Sequence, residues 1–277
     1  MIFDDRPCSL GEGPLWHPAR GELFWFDINA RTLHSKAQSW TFDLSVSAAG
    51  WIDDARLLIA SEIGLHRFDI ASGTLSEPIV AIENYDSTTR SNDGRADPWG
   101  GFWIGTMGFN AEPAAGAIYR FFRGEVRKLV SDVTISNAIC FSPDRAYAHY
   151  TDTVTKQIMR APLDPETGWP NGAAQIWLDL NEADLSPDGA IIDADGNFCV
   201  ALWGAGCVNT YTQDGTLLAS HPVAGKHATC PAFGGADLSD LYVTSATEGI
   251  DGPLGENGMI FCLKGIGRGQ KEHQVIL

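Results

Sequence analysis

Three short stretches carry oxygen-bearing side chains in settings that could bring them to one cation. Glu12 lies between two glycines in Leu10-Gly11-Glu12-Gly13-Pro14. Asn137 lies in Ile135-Ser136-Asn137-Ala138-Ile139, and Asp188 lies in Leu185-Ser186-Pro187-Asp188-Gly189, just ahead of Ala190-Ile191-Ile192. Each alone reads as a turn, because Gly, Pro and Asp dominate turns. Together they occupy equivalent places, each in a loop immediately before an apolar strand. Two carboxylates and an amide carbonyl make a hard, all-oxygen donor set, suited to Ca2+, Mg2+ or Mn2+ and acceptable to Zn2+ or Fe2+. A fourth stretch, Arg90-Ser91-Asn92-Asp93-Gly94, is placed the same way. Arg90 offers a planar fork of donors and Asn92 both donates and accepts, which suits a polyhydroxylated or anionic ligand.

Other chemistries lack their signatures. The chain has no GxSxG elbow, no HExxH and no phosphate-binding P-loop, and its seven histidines never fall at metal-ligand spacing. Gly265-Ile266-Gly267-Arg268-Gly269 has the glycines of a dinucleotide loop but no surrounding βαβ unit. Asp193-Ala194-Asp195-Gly196-Asn197 opens like an EF-hand, yet position twelve would be Gly204 rather than a bidentate Glu, so a hairpin turn explains it better. The six cysteines form no CxxC pair and sit mostly in apolar segments, as buried free thiols do.

The elements that must position these residues are strands. Apolar segments at 21–27, 56–60, 101–105, 146–150, 197–201 and 241–244, all but the second carrying aromatic residues, each follow a polar turn rich in Asp, Gly or Pro. A third strand follows at 64–69, 116–121 and 157–161, and a fourth at 128–130 and 174–177. Six copies at spacings of about 35 to 50 residues match the period of propeller blades. The expected fold is therefore all-β, a six-bladed β-propeller with four-stranded blades, forming a single domain over residues 1–277. The starts of innermost strands face the central channel of such a ring, so blades one, four and five can deliver Glu12, Asn137 and Asp188 to one point. Closure is expected to pair an N-terminal segment with the last blade near Gly258–Cys262.

Composition narrows the partners. With 19 basic against 35 acidic residues the formal charge is −16, a field that repels nucleic acid and anionic lipid. No apolar run approaches the roughly 18 residues of a membrane helix. The start of the chain has acids where a signal peptide needs basic residues. A cytoplasmic protein with no nucleic-acid or membrane partner, monomeric or a weak homo-oligomer, is expected.

The sequence resembles the gluconolactonase / senescence-marker-protein family, which includes regucalcin. The resemblance rests on Leu10–Trp16, Arg90–Pro98 with Gly101–Met107, Ser136–Ile139 through Tyr150–Thr153, Pro187–Gly189 through Asp195–Asn197, and Phe233–Asp237 with Leu241–Ala246. It implies one divalent metal held by Glu12, Asn137 and Asp188, and a sugar lactone as substrate. Arg90 and Asn92 match positions that contact the lactone, with Asp93 and Glu112 as further substrate-binding candidates. Ser136 and Ala138 replace the usual Pro and Gly around the Asn ligand, Arg145 replaces a turn glycine, and Cys199 stands where an aromatic residue is common.

The implied activity is opening of a sugar-acid lactone by attack of water on a metal-polarised carbonyl. Asp188 is the candidate general base, and water activated by the cation alone is the competing version. A non-catalytic Ca2+-binding propeller needs the three ligands but has no use for Arg90 and Asn92. A hydrolase of organophosphate or aryl esters calls for a more apolar channel mouth.

Overall fold

In the computed structural model, which describes residues 1–277, six four-stranded antiparallel sheets are arranged in a ring, with one three-residue 3-10 turn at Thr153–Thr155 as its helical content. The innermost strands are Gly11–His17, Val46–Trp51, Thr89–Ala96, Ser136–Phe141, Ser186–Ile192 and His227–Gly234, and they define blades 1 to 6. The first five blades each run outward through four consecutive strands. In blade 6 the outermost strand is Ile2–Asp4, paired with Ile260–Leu263 through Ile2↔Phe261 and Asp4↔Ile260. Strands from opposite ends of the chain thus close the ring, at the place the sequence indicated.

The second strand of each blade is buried nearly throughout rather than alternating, because both faces of every blade are covered. In the second strand of blade 2, Leu57 and Ile59 pack toward blade 1, whereas Leu58 and Ala60 pack toward blade 3. Six such apolar clusters fill the six interfaces, and most of the aromatic side chains belong to them. All six cysteines are free and five are buried.

Every innermost strand carries a β-bulge near its start. The register slips between Glu12 and Leu15, Val46 and Ala48, Ser91 and Gly94, Asn137 and Cys140, Pro187 and Ala190, and Ala228 and Pro231. A bulge twists its strand and re-aims the side chains beside it. Glu12, Arg90, Asn92, Asn137 and Asp188 therefore lie within the innermost strands, not in loops before them, which corrects the sequence expectation. The pattern explains two departures from the family. Ala138 sits in its bulge at φ +56° and Arg145 in its hairpin turn at φ +62°, left-handed conformations that favour glycine. Arg145 is exposed, so nothing is lost by trimming it. Arg145→Gly is expected to raise stability by about 0.5–1 kcal/mol, the relief of backbone strain less the added unfolded-state entropy. A urea midpoint unchanged or lowered would contradict this.

The last fourteen residues, 264–277, form a strap across the face where the innermost strands end. Gly269 N donates to Leu238 O of blade 6, and Gln270 Nε2 to Ile192 O of blade 5. Further on, Gln274 Nε2 donates to Ile52 O, Val275 N to Trp51 O, and Ile276 N to Gly100 O, reaching blades 2 and 3. Midway, Glu272 forms a buried ion pair with Arg95, whose guanidinium also donates to Ile139 O and Ala190 O at 3.3 Å each. The strap and Arg95 together stopper this end of the channel.

Candidate functional site at the open end of the ring

At the other end the bulged strands surround a cavity of about 390 Å3. Five of the seven residues singled out from the sequence line it, namely Glu12, Arg90, Asn92, Asn137 and Asp188, and each is no more than 7% exposed. Local sequence explains the placement of Glu12. A Cβ at Gly11 would press into the Ser245 carbonyl oxygen, and one at Gly13, which adopts φ +53°, into that of Ser47. Glycine on both sides is what lets this strand approach its neighbours and turn the carboxylate inward. Gly13 N then donates to Glu12 Oε2 at 2.9 Å.

A chain of hydrogen bonds crosses three blades and fixes the amides. Arg90 Nη1 donates to Ser91 O (2.9 Å) and Asn92 Oδ1 (2.8 Å). Asn92 Nδ2 donates to Ser136 O (2.9 Å) and Asn137 Oδ1 (3.2 Å). Asn137 Nδ2 donates to Thr153 Oγ1 (2.9 Å), whose hydroxyl donates to Pro187 O (2.8 Å) beside Asp188. The chain is directional, so it assigns the amide orientations and turns the Asn137 carbonyl oxygen toward Asn92.

The Glu12 and Asp188 carboxyls are near enough for each to affect the other's protonation. Burial, then the charge of Asp93, pushes Glu12 up to about 8; burial, then Glu12 and Asp93, pushes Asp188 well above the carboxylate range. Arg90 contacts neither carboxylate as an ion pair, and burial lowers its pKa against the pull of Glu248, Glu12 and Asp188. Two buried acids facing each other beside an amide oxygen fit a hard divalent cation. No three His, Cys, Asp or Glu side chains are placed to hold a metal ion by themselves, so any such site depends on the amide.

Asp93 and Glu112 are placed elsewhere. Asp93 is buried beneath the cavity floor, its Oδ2 accepting from Ile139 N at 2.7 Å, and burial pushes it up to about 6 despite Arg95. Glu112 turns back on its own loop, accepting from Asn110 N (3.1 Å) and Asn110 Nδ2 (2.9 Å). The remaining wall comes from residues that the sequence did not single out, including Asn29, Phe109, Asn110, Thr153, Trp203 and Glu248. Each follows the second strand of its blade or ends it, so in a ring these connections all reach the open end. That topological regularity is the signal that would have found them. Glu248 is held by Asn29 Nδ2 at 2.7 Å, which also donates to Ser9 Oγ at 3.0 Å.

Residues 10–247 match the family described as SMP-30/Gluconolactonase/LRE-like region. The chain belongs to this family. A pentonolactonase of Haloferax volcanii is 36% identical over 259 residues, covering 91% of this chain and 87% of the relative. A 6-deoxy-6-sulfogluconolactonase of Pseudomonas putida is 33% identical over 275 residues, covering 94% and 92%. The crystal structure of a calcium-binding protein, regucalcin, from Agrobacterium tumefaciens is similar at TM-score 0.96 and 40% identity, covering 100% of this chain and 97% of that one. All five sequence-identified pocket residues fall inside the SMP-30/gluconolactonase match, whereas Glu248 and the C-terminal strap lie beyond it.

Proposed function

We propose that the protein hydrolyses a sugar-acid lactone to the aldonic acid, with one divalent cation held by Glu12, Asn137 and Asp188. The observation that carries this reading is the pairing of two buried carboxyls and an amide oxygen with the Arg90–Asn92 donor pair across a single cavity. A bound cation would act as Lewis acid toward the lactone carbonyl. Arg90 still has guanidinium donors to offer, and they orient ring hydroxyls. Asp188 takes the proton from the attacking water, and that proton is returned to the ring oxygen as its bond to the carbonyl carbon breaks. Met107, Phe109 and Trp203 add apolar surface to the same cavity.

The polar mouth favours this reading over hydrolysis of organophosphate or aryl esters, since Asn29, Asn110 and Glu248 line it. The Arg90-to-Pro187 hydrogen-bond chain favours it over a purely cation-storing ring, which needs no such donor array.

The test is a panel of aldonolactones followed by proton release, with chelator-stripped protein and single metals restored. Turnover of at least one lactone that disappears on stripping supports the reading. Aryl-ester or organophosphate hydrolysis without lactonase activity, or full activity in chelator, overturns it. Arg90→Ala is expected to lower kcat/KM by about 100-fold, the loss of two charged hydrogen bonds, with metal content unchanged. Equal loss of metal would make Arg90 structural.

The stripped protein should also show an unusual pH response. Folded Glu12 titrates near 8, above its ordinary value, so above the histidine range the folded state binds more protons than the unfolded state, whereas below it the seven histidines, all lowered by burial, act in the opposite sense. Stability then falls as pH rises from about 7 to about 9, and Tm in chelator is expected to drop by about 2–4 °C over that range. A Tm that rises over the same interval would contradict the assignment.

A further inference from the structure

On the stoppered face of the ring, blades 4 and 5 part around a second cavity of about 400 Å3, as large as the first. Its floor is His149, 5% exposed, standing edge-on to Trp177 at 5.0 Å and tilted against Phe198 at 5.7 Å. The ring nitrogen Nδ1 of His149 has no hydrogen-bond partner. Burial, then the nearby Arg160 charge, pushes this histidine down to about 3, so it stays neutral.

Unused polar capacity surrounds this floor. Arg160 lies over the Tyr147 ring at 4.6 Å and makes no ion pair, leaving its guanidinium donors available. Asp144 accepts from Ser142 Oγ (2.6 Å) and Ala146 N (3.0 Å) through Oδ1 alone, so Oδ2 is open. Gln213 spends its amide N–H on Asp195 O at 2.8 Å, leaving its carbonyl oxygen. The charges cancel locally, since Asp144 and Asp195 stand against Arg160 and Arg268, the latter already paired to Asp195. Donors and acceptors are thus both on offer without net charge, beside the half-buried rings of Trp177 and Tyr147.

We propose that this groove between blades 4 and 5 is a second binding site, for a neutral, hydroxyl-rich ring of monosaccharide size. Vicinal hydroxyls donate to Asp144 and accept from Arg160, while the apolar face of the ring lies against Trp177. A planar anion fits less well, because two carboxylates line the same groove. The site is distinct from the open-end cavity and does not rest on the lactonase reading.

The test uses D-glucose and D-xylose as probes, with D-gluconate as the charged comparison. Saturation-transfer NMR and calorimetry are run on the full chain carrying Arg90→Ala, which disables the donor pair at the open end. Binding of the neutral sugars is expected there, and to weaken about tenfold on adding Arg160→Gln or Asp144→Asn, the loss of one charged hydrogen bond. Both added substitutions are at partly or fully exposed positions, and an unchanged Tm confirms that the fold survives. A crystal soaked in D-glucose should show the sugar against Trp177. No binding up to on the order of 50 mM, affinity insensitive to both substitutions, or tighter binding of D-gluconate overturns the proposal.

Discussion

Asp188→Asn is expected to reduce kcat on the preferred lactone by at least about 10³-fold. The substitution keeps volume and shape, so the bulge and the packing of Gly189 against Cys230 are undisturbed. What changes is chemical: an amide neither accepts the water's proton nor carries charge toward a cation. A structural role predicts a different pattern. Removing a buried carboxyl that faces Glu12 relieves repulsion, so chelator-stripped Asp188→Asn protein should be at least as stable as the parent at pH 8. Lost turnover with retained stability assigns Asp188 to the reaction. A kcat within tenfold of the parent would remove Asp188 as base and leave activation of water to the cation alone.

The second large effect lies at the far end of the channel. Glu272→Ala should cost about 3–5 kcal/mol of stability, because it leaves the Arg95 guanidinium buried with only two long carbonyl contacts. The urea midpoint reports this directly. Replacing both partners, as in Arg95→Met with Glu272→Leu, should recover most of the loss, since a buried pair contributes little net stability compared with an apolar substitute. A loss below about 1 kcal/mol for Glu272→Ala would mean that the strap is held by its other contacts, the backbone bonds and the Gln270 and Gln274 amides.

Much of this architecture was legible in the sequence because its causes are local. An Asp-, Gly- or Pro-rich turn followed by an apolar strand, aromatic in five cases of six, recurs around the ring, and both faces of each blade need apolar residues, so hairpin chemistry and burial report the same period. The five pocket residues were legible because they recur near the start of the innermost strands. Their assignment to loops was wrong for an identifiable reason. Gly11-Glu12-Gly13-Pro14 and Pro187-Asp188-Gly189 have the composition of turns, and a bulge inside a strand uses the same residues. The strap was illegible because it has no periodicity, and the groups it bonds are mostly turn and strand-end carbonyls far away in the chain. Glu248 was hidden similarly, since Thr247-Glu248-Gly249 is an ordinary polar loop until ring closure carries it opposite Arg90. Sequence adjacency to Asn92 did not carry Asp93 into the cavity, because the bulge sends its carboxylate to the floor, against Ile139 N.

On the proposed function, the Arg95–Glu272 stopper makes the catalytic cavity a cul-de-sac. Traffic through a blind vestibule is single-file, so an aldonate formed at the bottom must vacate by the doorway the next lactone needs. Spent acid and fresh substrate therefore contend for one berth, and progress curves should bend early from accumulating product, with strictly competitive kinetics.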